Sequence, residues 1–302
     1  MIARARAVAV ESAALHGVVA QLGERRVRNA KVGSSILLHS TKFFRSWAAR
    51  VNLRCVAAAL LAVAPAFALA VLPDEIQVYT DDLEAPGERG VELHINTTPN
   101  GRSTPDYPGE VTPWHGLRVT PEISWGLSPN WDWGLYLPFT RSAEGENYFA
   151  GPKFRLKWLP LRPAAGATGY FAGVNVELAV VQPRFVEARR TLEIRPILGL
   201  RGAQWLFSFN PTVGMDLAGD DRGVLMFHPS LKLARSVGDR TAIGVEYYAD
   251  LGRLSDPLPR REQSHTLFAV IDAERSLGVN FGVGRGLTAA TDRWTVKAII
   301  SF

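Results

Sequence analysis

From Gly90 onward the chain repeatedly alternates apolar and polar residues with a period of two. The last ten residues show the pattern cleanly. Trp294, Val296, Ala298, Ile300 and Phe302 fall on one side, while Arg293, Thr295, Lys297 and Ser301 fall on the other. This periodicity belongs to a β-strand whose two faces meet different surroundings. The same reading places strands over 91–97, 117–125, 131–139, 148–158 and 170–181, then around Leu192–Arg201, Trp205–Asp216, Leu225–Leu233 and Ile243–Leu251, with softer ones near 266–273 and 279–287. With the carboxyl-terminal strand, about twelve antiparallel strands are expected.

The two faces differ in chemistry. One carries Val119, Ile123, Trp125, Phe154, Leu156, Leu198, Phe207, Ile243 and their like. The other carries Glu92, His94, Arg118, Glu122, Lys153, Arg155, Lys157, Glu177, Glu193, Arg195, Arg201, Lys232 and Glu246, with Asp132, Asp216, Asp250 and Lys297. Short turn-forming connections, Gly126–Asn130, Gly202–Gln204 and Gly238–Arg240, alternate with longer polar ones such as Pro99–Pro113 and Pro183–Arg190. Strands with an apolar outside, a polar inside and such alternating connections predict an all-β fold, an antiparallel transmembrane β-barrel with an even strand count over residues 90–302. The tryptophans Trp125, Trp131, Trp133, Trp158 and Trp205 lie near the short turns, where a girdle at one lipid–water boundary is expected. Pro121, Pro152, Pro196, Pro211 and Pro229 resist the pattern, because mid-strand proline removes a ladder hydrogen bond. All five sit in the outward register, which calls for local bends or bulges.

The amino-terminal seventy residues read differently. Leu53–Ala70 is a short apolar run behind Arg50 and Arg54, closed by the small residues Ala68-Leu69-Ala70, the layout of a secretory signal peptide over 51–70. Residues 1–50 precede it, and 20–41 resemble a translated transfer-RNA gene, so 1–50 is expected to be a spurious extension. A basic arm that binds nucleic acid or membrane is the other reading of 1–50, and it fits the charge but not the position. Residues 1–70 hold ten Lys or Arg against two Glu, a net +8. The whole chain is +5, so the remainder is about −3, and the basic character that would suggest nucleic-acid binding resides in the segment expected to be lost. The single cysteine, Cys55, lies in the same segment, which leaves no thiol or disulfide chemistry to the rest. Residues 71–89, acidic and rich in turn formers, are expected to be periplasmic.

Two readings of the inner charges remain open. They could pair and simply rigidify the barrel, or they could line a watery path and set its selectivity. The basic ladder Lys153, Arg155, Lys157 has Glu177 and Glu193 on the next two strands as natural partners. Signatures of catalysis are sparse. His228-Pro229-Ser230 resembles the His-x-Ser of outer-membrane phospholipases, but the predicted register points it inward and no asparagine orienter stands on the following strand. No phosphate loop, zinc spacing or heptad is present, and no cofactor or metal is expected.

The carboxyl-terminal strand, with Trp294, Val296, Ile300 and the terminal Phe302, resembles the insertion signal of bacterial outer-membrane barrels. It implies outer-membrane lipid and the barrel-assembly machinery as partners. From Leu72–Asp82 through Gly90–Asn96 and Gly151–Lys157 to Phe302, the chain resembles a group of proteobacterial outer-membrane proteins labelled as transporters and related to the barrel family of the meta-pathway of phenol degradation. That resemblance implies an outer-membrane protein that passes small organic or aromatic solutes by passive or facilitated diffusion; it transfers no binding residues. A non-conducting structural or interaction barrel and a lipid-modifying enzyme are the alternative functions.

Overall fold

A computed structural model describes residues 75–302. The expectations for 1–50 and for the signal peptide at 51–70 fall outside the described residues. In chain order the strands are β1 (Arg89–Asn100), β2 (Leu117–Ser128), β3 (Trp131–Tyr136), β4 (Phe139–Arg141), β5 (Asn147–Phe149), β6 (Lys153–Leu161), β7 (Gly169–Val180), β8 (Arg190–Arg201), β9 (Trp205–Asp216), β10 (Leu225–Gly238), β11 (Thr241–Asp250), β12 (Gly252–Arg253), β13 (Asp256–Pro257), β14 (Ser264–Glu274), β15 (Gly278–Gly286) and β16 (Trp294–Ser301). Each main strand pairs antiparallel with its neighbour, and β16 returns to pair with β1 through Leu93 opposite Ile300 and Ile95 opposite Ala298. The sheet therefore closes into a twelve-strand barrel with no free edge, which a bilayer requires of spanning strands.

The count matches the sequence, but two predicted strands are broken. Residues 131–139 divide into β3 and β4 at Leu137-Pro138, and 148–158 divide into β5 and β6 at Ala150–Pro152. Proline withholds a ladder donor at each break, and Gly151 takes φ +117° so that its backbone can lie against the Val180 carbonyl. The remaining backbone groups are still paired across the breaks: the Leu137 amide donates to Pro121 at 3.0 Å and the Ala150 amide to Pro138 at 2.8 Å. The small hairpin of β12 and β13 sits in the connection after β11, where only a polar loop was expected.

Alternation is kept throughout the wall. Phe154, Leu178, Phe207, Ile243 and Phe281 are exposed apolar side chains, 43–50% accessible, while the residues beside them in sequence point inward. An exposed apolar band of this kind is unstable in water and stable against acyl chains. Trp125, Trp131, Trp158 and Trp205 are exposed beside the short connections; Trp131 stacks on Trp158 at 5.5 Å, and Arg89 and Arg235 lie over Trp125 and Trp205. The prolines sit in the outward register as predicted. Pro211 faces Pro229 across β9 and β10, and the pairing of β8 with β9 lapses around Pro196, between Ile194–Val213 and Leu198–Phe209.

Residues 75–88 do not hang below the barrel. Of the segment expected to be periplasmic over 71–89, residues 71–74 lie outside the described residues. Residues 75–88 run inside the lumen down to a turn at Pro86-Gly87 and then enter β1. Three things hold them there: side chains of the wall that need carboxylate and amide partners, the apolar faces of Ile76, Val78 and Tyr79, all buried, and close backbone passage at Gly126. A Cβ at Gly126 would overlap the Ala85 carbonyl, so glycine is what lets the segment leave the barrel mouth against the wall.

Candidate functional site

The lumen is the site, and its wall is polar because every second residue of each strand must face inward. Every inner-face residue predicted from sequence is on that face: Glu92 and His94 on β1, Arg118 and Glu122 on β2, Lys153, Arg155 and Lys157 on β6, Glu177 on β7, Glu193, Arg195 and Arg201 on β8, Lys232 on β10 and Glu246 on β11. These charges are paired. Arg155 donates to Glu122 at 2.7 Å and to Asp132, and Lys157 lies 3.5 Å from Asp132. Lys153 pairs with Glu177 at 2.8 Å, and Arg195 pairs with Glu193 at 2.6 Å. The expected partners of the basic ladder thus hold only in part. Glu177 takes Lys153, but Glu193 belongs to Arg195, and Arg155 turns to β2 and β3. Gly134 makes that turn possible, since a Cβ there would crowd both Arg155 and Glu122.

A second cluster lies across the barrel. Lys232 bridges Glu246 at 3.1 Å and Asp272 at 3.0 Å, and Lys297 of β16 also reaches Glu246. Tyr248 donates to Glu246 at 2.7 Å, and Asn280 to Asp272 at 2.6 Å. Arg118 donates to Thr140 at 3.1 Å. Glu92 and Glu122 stand directly opposite across β1 and β2, a like-charge pair relieved by His94, whose Nε2 is 3.6 Å from one and 3.2 Å from the other, and by Ser301 donating to Glu92 at 2.7 Å. Glu92, His94 and Glu122 bring three ligand atoms close enough to hold a metal ion, a grouping that sequence spacing alone does not reveal.

The residues that sequence reasoning missed belong to the inner segment. The Glu75 carboxylate lies 2.9 Å from Lys153 Nζ and 3.5 Å from Arg195 Nη1. The Tyr79 hydroxyl meets that of Tyr136 at 2.7 Å and donates to Glu177 at 3.2 Å, while its ring packs with Leu159, Phe171 and Ile197 beneath the Arg195 guanidinium, 4.6 Å from the ring centre. Its backbone is gripped by the wall: the amide donates to Asn210 Oδ1 at 2.8 Å, and Ser208 and Asn210 donate to its carbonyl at 2.5 and 3.2 Å. Lys297 donates to the Ile76 carbonyl at 2.8 Å. Lower down, Arg201 clasps Asp81 with two hydrogen bonds, and Ser124 donates to Glu84 at 3.0 Å. Tyr136, Leu159, Phe171 and Ile197 are at most 1% accessible, so the passage is filled at their level. The signal for this in the sequence is the alternation Glu75, Gln77, Tyr79 against Ile76 and Val78.

His228 and Ser230 both face inward on β10, away from lipid, with His228 3.5 Å from Asp250 on β11. An inward pair cannot reach an acyl ester in the bilayer. Trp294, Val296, Ile300 and the terminal Phe302 keep the outward register of β16, and the Phe302 amide donates to Val91 at 2.9 Å.

No family model and no curated protein matches the chain. Among solved structures it is similar to the COG4313 outer membrane channel from Pseudomonas putida F1, with a TM-score of 0.50 at 12% identity, over 75% of this chain and 99% of that one. It is also similar to the KdgM porin, at 0.46 and 7% identity over 70% and 98% of the two chains. LpxR from Salmonella typhimurium follows at 0.37 and 9% identity, over 70% and 99%. The likeness to the COG4313 channel shows the fold, and the closed ladder with its apolar band makes it a β-barrel whose wall faces lipid.

Proposed function

We propose that the protein is an outer-membrane channel for small solutes, closed in this structure by its own segment 75–88 and opened by withdrawal of that segment. One observation carries the reading. Besides side chains of the wall, the lumen holds residues 75–84, which belong to no strand of the sheet and are gripped by the wall through hydrogen bonds and ion pairs. A barrel built only as a rigid post has no need of a removable filling. In this reading passage is by passive or facilitated diffusion, down the solute's own gradient.

The solute class that fits best is small organic or aromatic. The slot of Leu159, Phe171 and Ile197, roofed by Arg195 and ended by Tyr136 and Glu177, already receives a phenol in the form of Tyr79. This agrees with the aromatic solutes implied by resemblance to the phenol meta-pathway barrels. Assembly would follow the usual route of such barrels, with β16 and Phe302 presented to the barrel-assembly machinery.

The filled lumen also favours a second reading, a non-conducting barrel that serves the envelope through its loops. Planar-bilayer recordings separate the two. Discrete conductance steps, larger when Tyr79 is replaced by alanine, support the channel. A silent bilayer with correctly folded wild type and variant supports the structural barrel.

A further inference from the structure

We propose that Lys153 and Arg195 form a carboxylate-binding seat in the lumen, occupied here by Glu75 as an internal stand-in, and that a small organic monocarboxylate takes this seat from Glu75. The inference rests on reading the barrel as a channel and adds the chemistry of what it accepts.

The seat is assembled from two strands. Lys153 of β6 and Arg195 of β8 flank β7, and the two oxygens of Glu75 divide between them, Oε2 to Lys153 at 2.9 Å and Oε1 to Arg195 at 3.5 Å. The Glu75 side chain is 1% accessible and those of the two cations about a tenth, so the contact is made away from bulk water. Each cation also holds a wall carboxylate, Glu177 for Lys153 and Glu193 for Arg195. Withdrawal of the segment removes one acceptor from each cation while both stay in a narrow lumen, where losing a charged partner is costly. A solute carboxylate restores both contacts, and a neutral solute restores neither.

The wall also says how much charge is welcome. Glu177 and Glu193 already balance the two cations, so the seat suits a single negative charge; a phosphate dianion would meet both wall carboxylates. The body of the ligand is set by Arg195, which touches Glu75 with one nitrogen and covers the Tyr79 ring with its plane. A carboxylate carried on a flat apolar body would fill the seat and the slot together. A second station lies nearer the periplasm. Arg201 has Asp81 and Asp82 of the same segment as its ion-pair partners. Glu75 and Asp81 are six residues apart on the segment, as Arg195 and Arg201 are on β8, and an extended chain covers about 20 Å over that interval. The segment thus lays its carboxylates along the row of cations that a travelling anion would meet.

The test is calorimetric titration of the detergent-purified protein with benzoate, benzyl alcohol and inorganic phosphate, beside E75Q and the doubles E75Q/R195Q and E75Q/K153Q. Glutamine keeps the shape of Glu75 but removes its charge and so weakens the tethered competitor for both cations, and benzoate should bind E75Q at least about tenfold more tightly than wild type. Loss of either cation should return the affinity to the wild-type level or below. Equal benzoate affinity in wild type and E75Q, or benzyl alcohol or phosphate binding E75Q as tightly as benzoate, overturns the seat. Should the doubles fail to fold, judged by their heat-dependent gel shift, the comparison of wild type with E75Q across the three probes decides alone. Conductance of the same samples keeps the two ideas apart. Benzoate binding without conductance retains the seat and removes the channel, and conductance without benzoate binding does the reverse.

Discussion

The hydroxyls of Tyr79 and Tyr136 meet at 2.7 Å in the middle of the barrel, one from the inner segment and one from the wall. Both groups are buried, so the contact ties the filling to its container away from water. Tyr79→Phe should remove the hydrogen bonds but keep the ring, weakening the segment's hold by about 1 kcal/mol. Tyr79→Ala should empty the slot as well and cost about 3–5 kcal/mol. In planar bilayers, Tyr79→Ala should raise the open fraction far more than Tyr79→Phe; equal behaviour would show that the ring does not hold the segment.

Arg155 neutralises Glu122 and Asp132 at once. Arg155→Met should therefore take the nearest cation from two buried carboxylates, leaving Glu122 with His94 at 3.2 Å and Asp132 with Lys157 at 3.5 Å, and destabilise the barrel by about 3 kcal/mol, while the triple Arg155→Met, Glu122→Gln, Asp132→Asn variant should recover much of the loss. Urea unfolding in detergent micelles, followed by tryptophan fluorescence, measures both.

Much of this was legible in the sequence, and the reason is geometric. A strand between lipid and water must alternate, so Lys153, Arg155 and Lys157 announced an inner face and Phe154 and Leu156 an outer one. Neighbours two or more strands apart were not legible. Lys232 reaches Asp272 across β11, and nothing in the local pattern of either strand names the other. The inner segment escaped notice for a related reason. Its partners Asn210, Ser208 and Arg201 lie more than a hundred residues away, and its acidity reads as exposure when the cations that match it are out of view. The strand break at Gly151 depends on a close approach to Val180 that only the assembled wall reveals.

The face assignment makes a sharp prediction for two adjacent residues. Phe207 is 43% accessible on the lipid side, and Ser208 is fully buried on the lumen side. Phe207→Arg should destabilise folding into bilayers by about 2–4 kcal/mol if it lies near the midplane. Phe207→Leu should be nearly neutral by the same refolding titration, and Ser208→Ala should chiefly loosen Tyr79.

On the extracellular side, Arg102 clasps Glu110 through two hydrogen bonds of 2.7 Å, and Glu110 also accepts from the Asp106 amide at 2.6 Å. Burial raises the Glu110 carboxyl, but the Arg102 bonds outweigh it and hold the group below its usual range. A carboxyl lowered in the folded loop stabilises that loop above the ordinary carboxylate pKa of about 4, and the contribution fades as pH falls through the lowered value. Hydrogen exchange of the 102–110 amides should accordingly be unchanged between pH 8 and 6, after correction for intrinsic rates, and lose protection in strong acid. Glu110→Gln should show the unprotected behaviour at every pH.

The turn at Pro86-Gly87 is pinned to the wall by the Gly87 amide, which donates to Gly126 at 2.8 Å, and the chain continues from it without interruption into β1. In the channel proposed above, the stopper is therefore leashed at its lower end to the rim it must pass, so its withdrawal is expected toward the periplasm, where it stays at hand to reseat and where the signal to admit a solute would act.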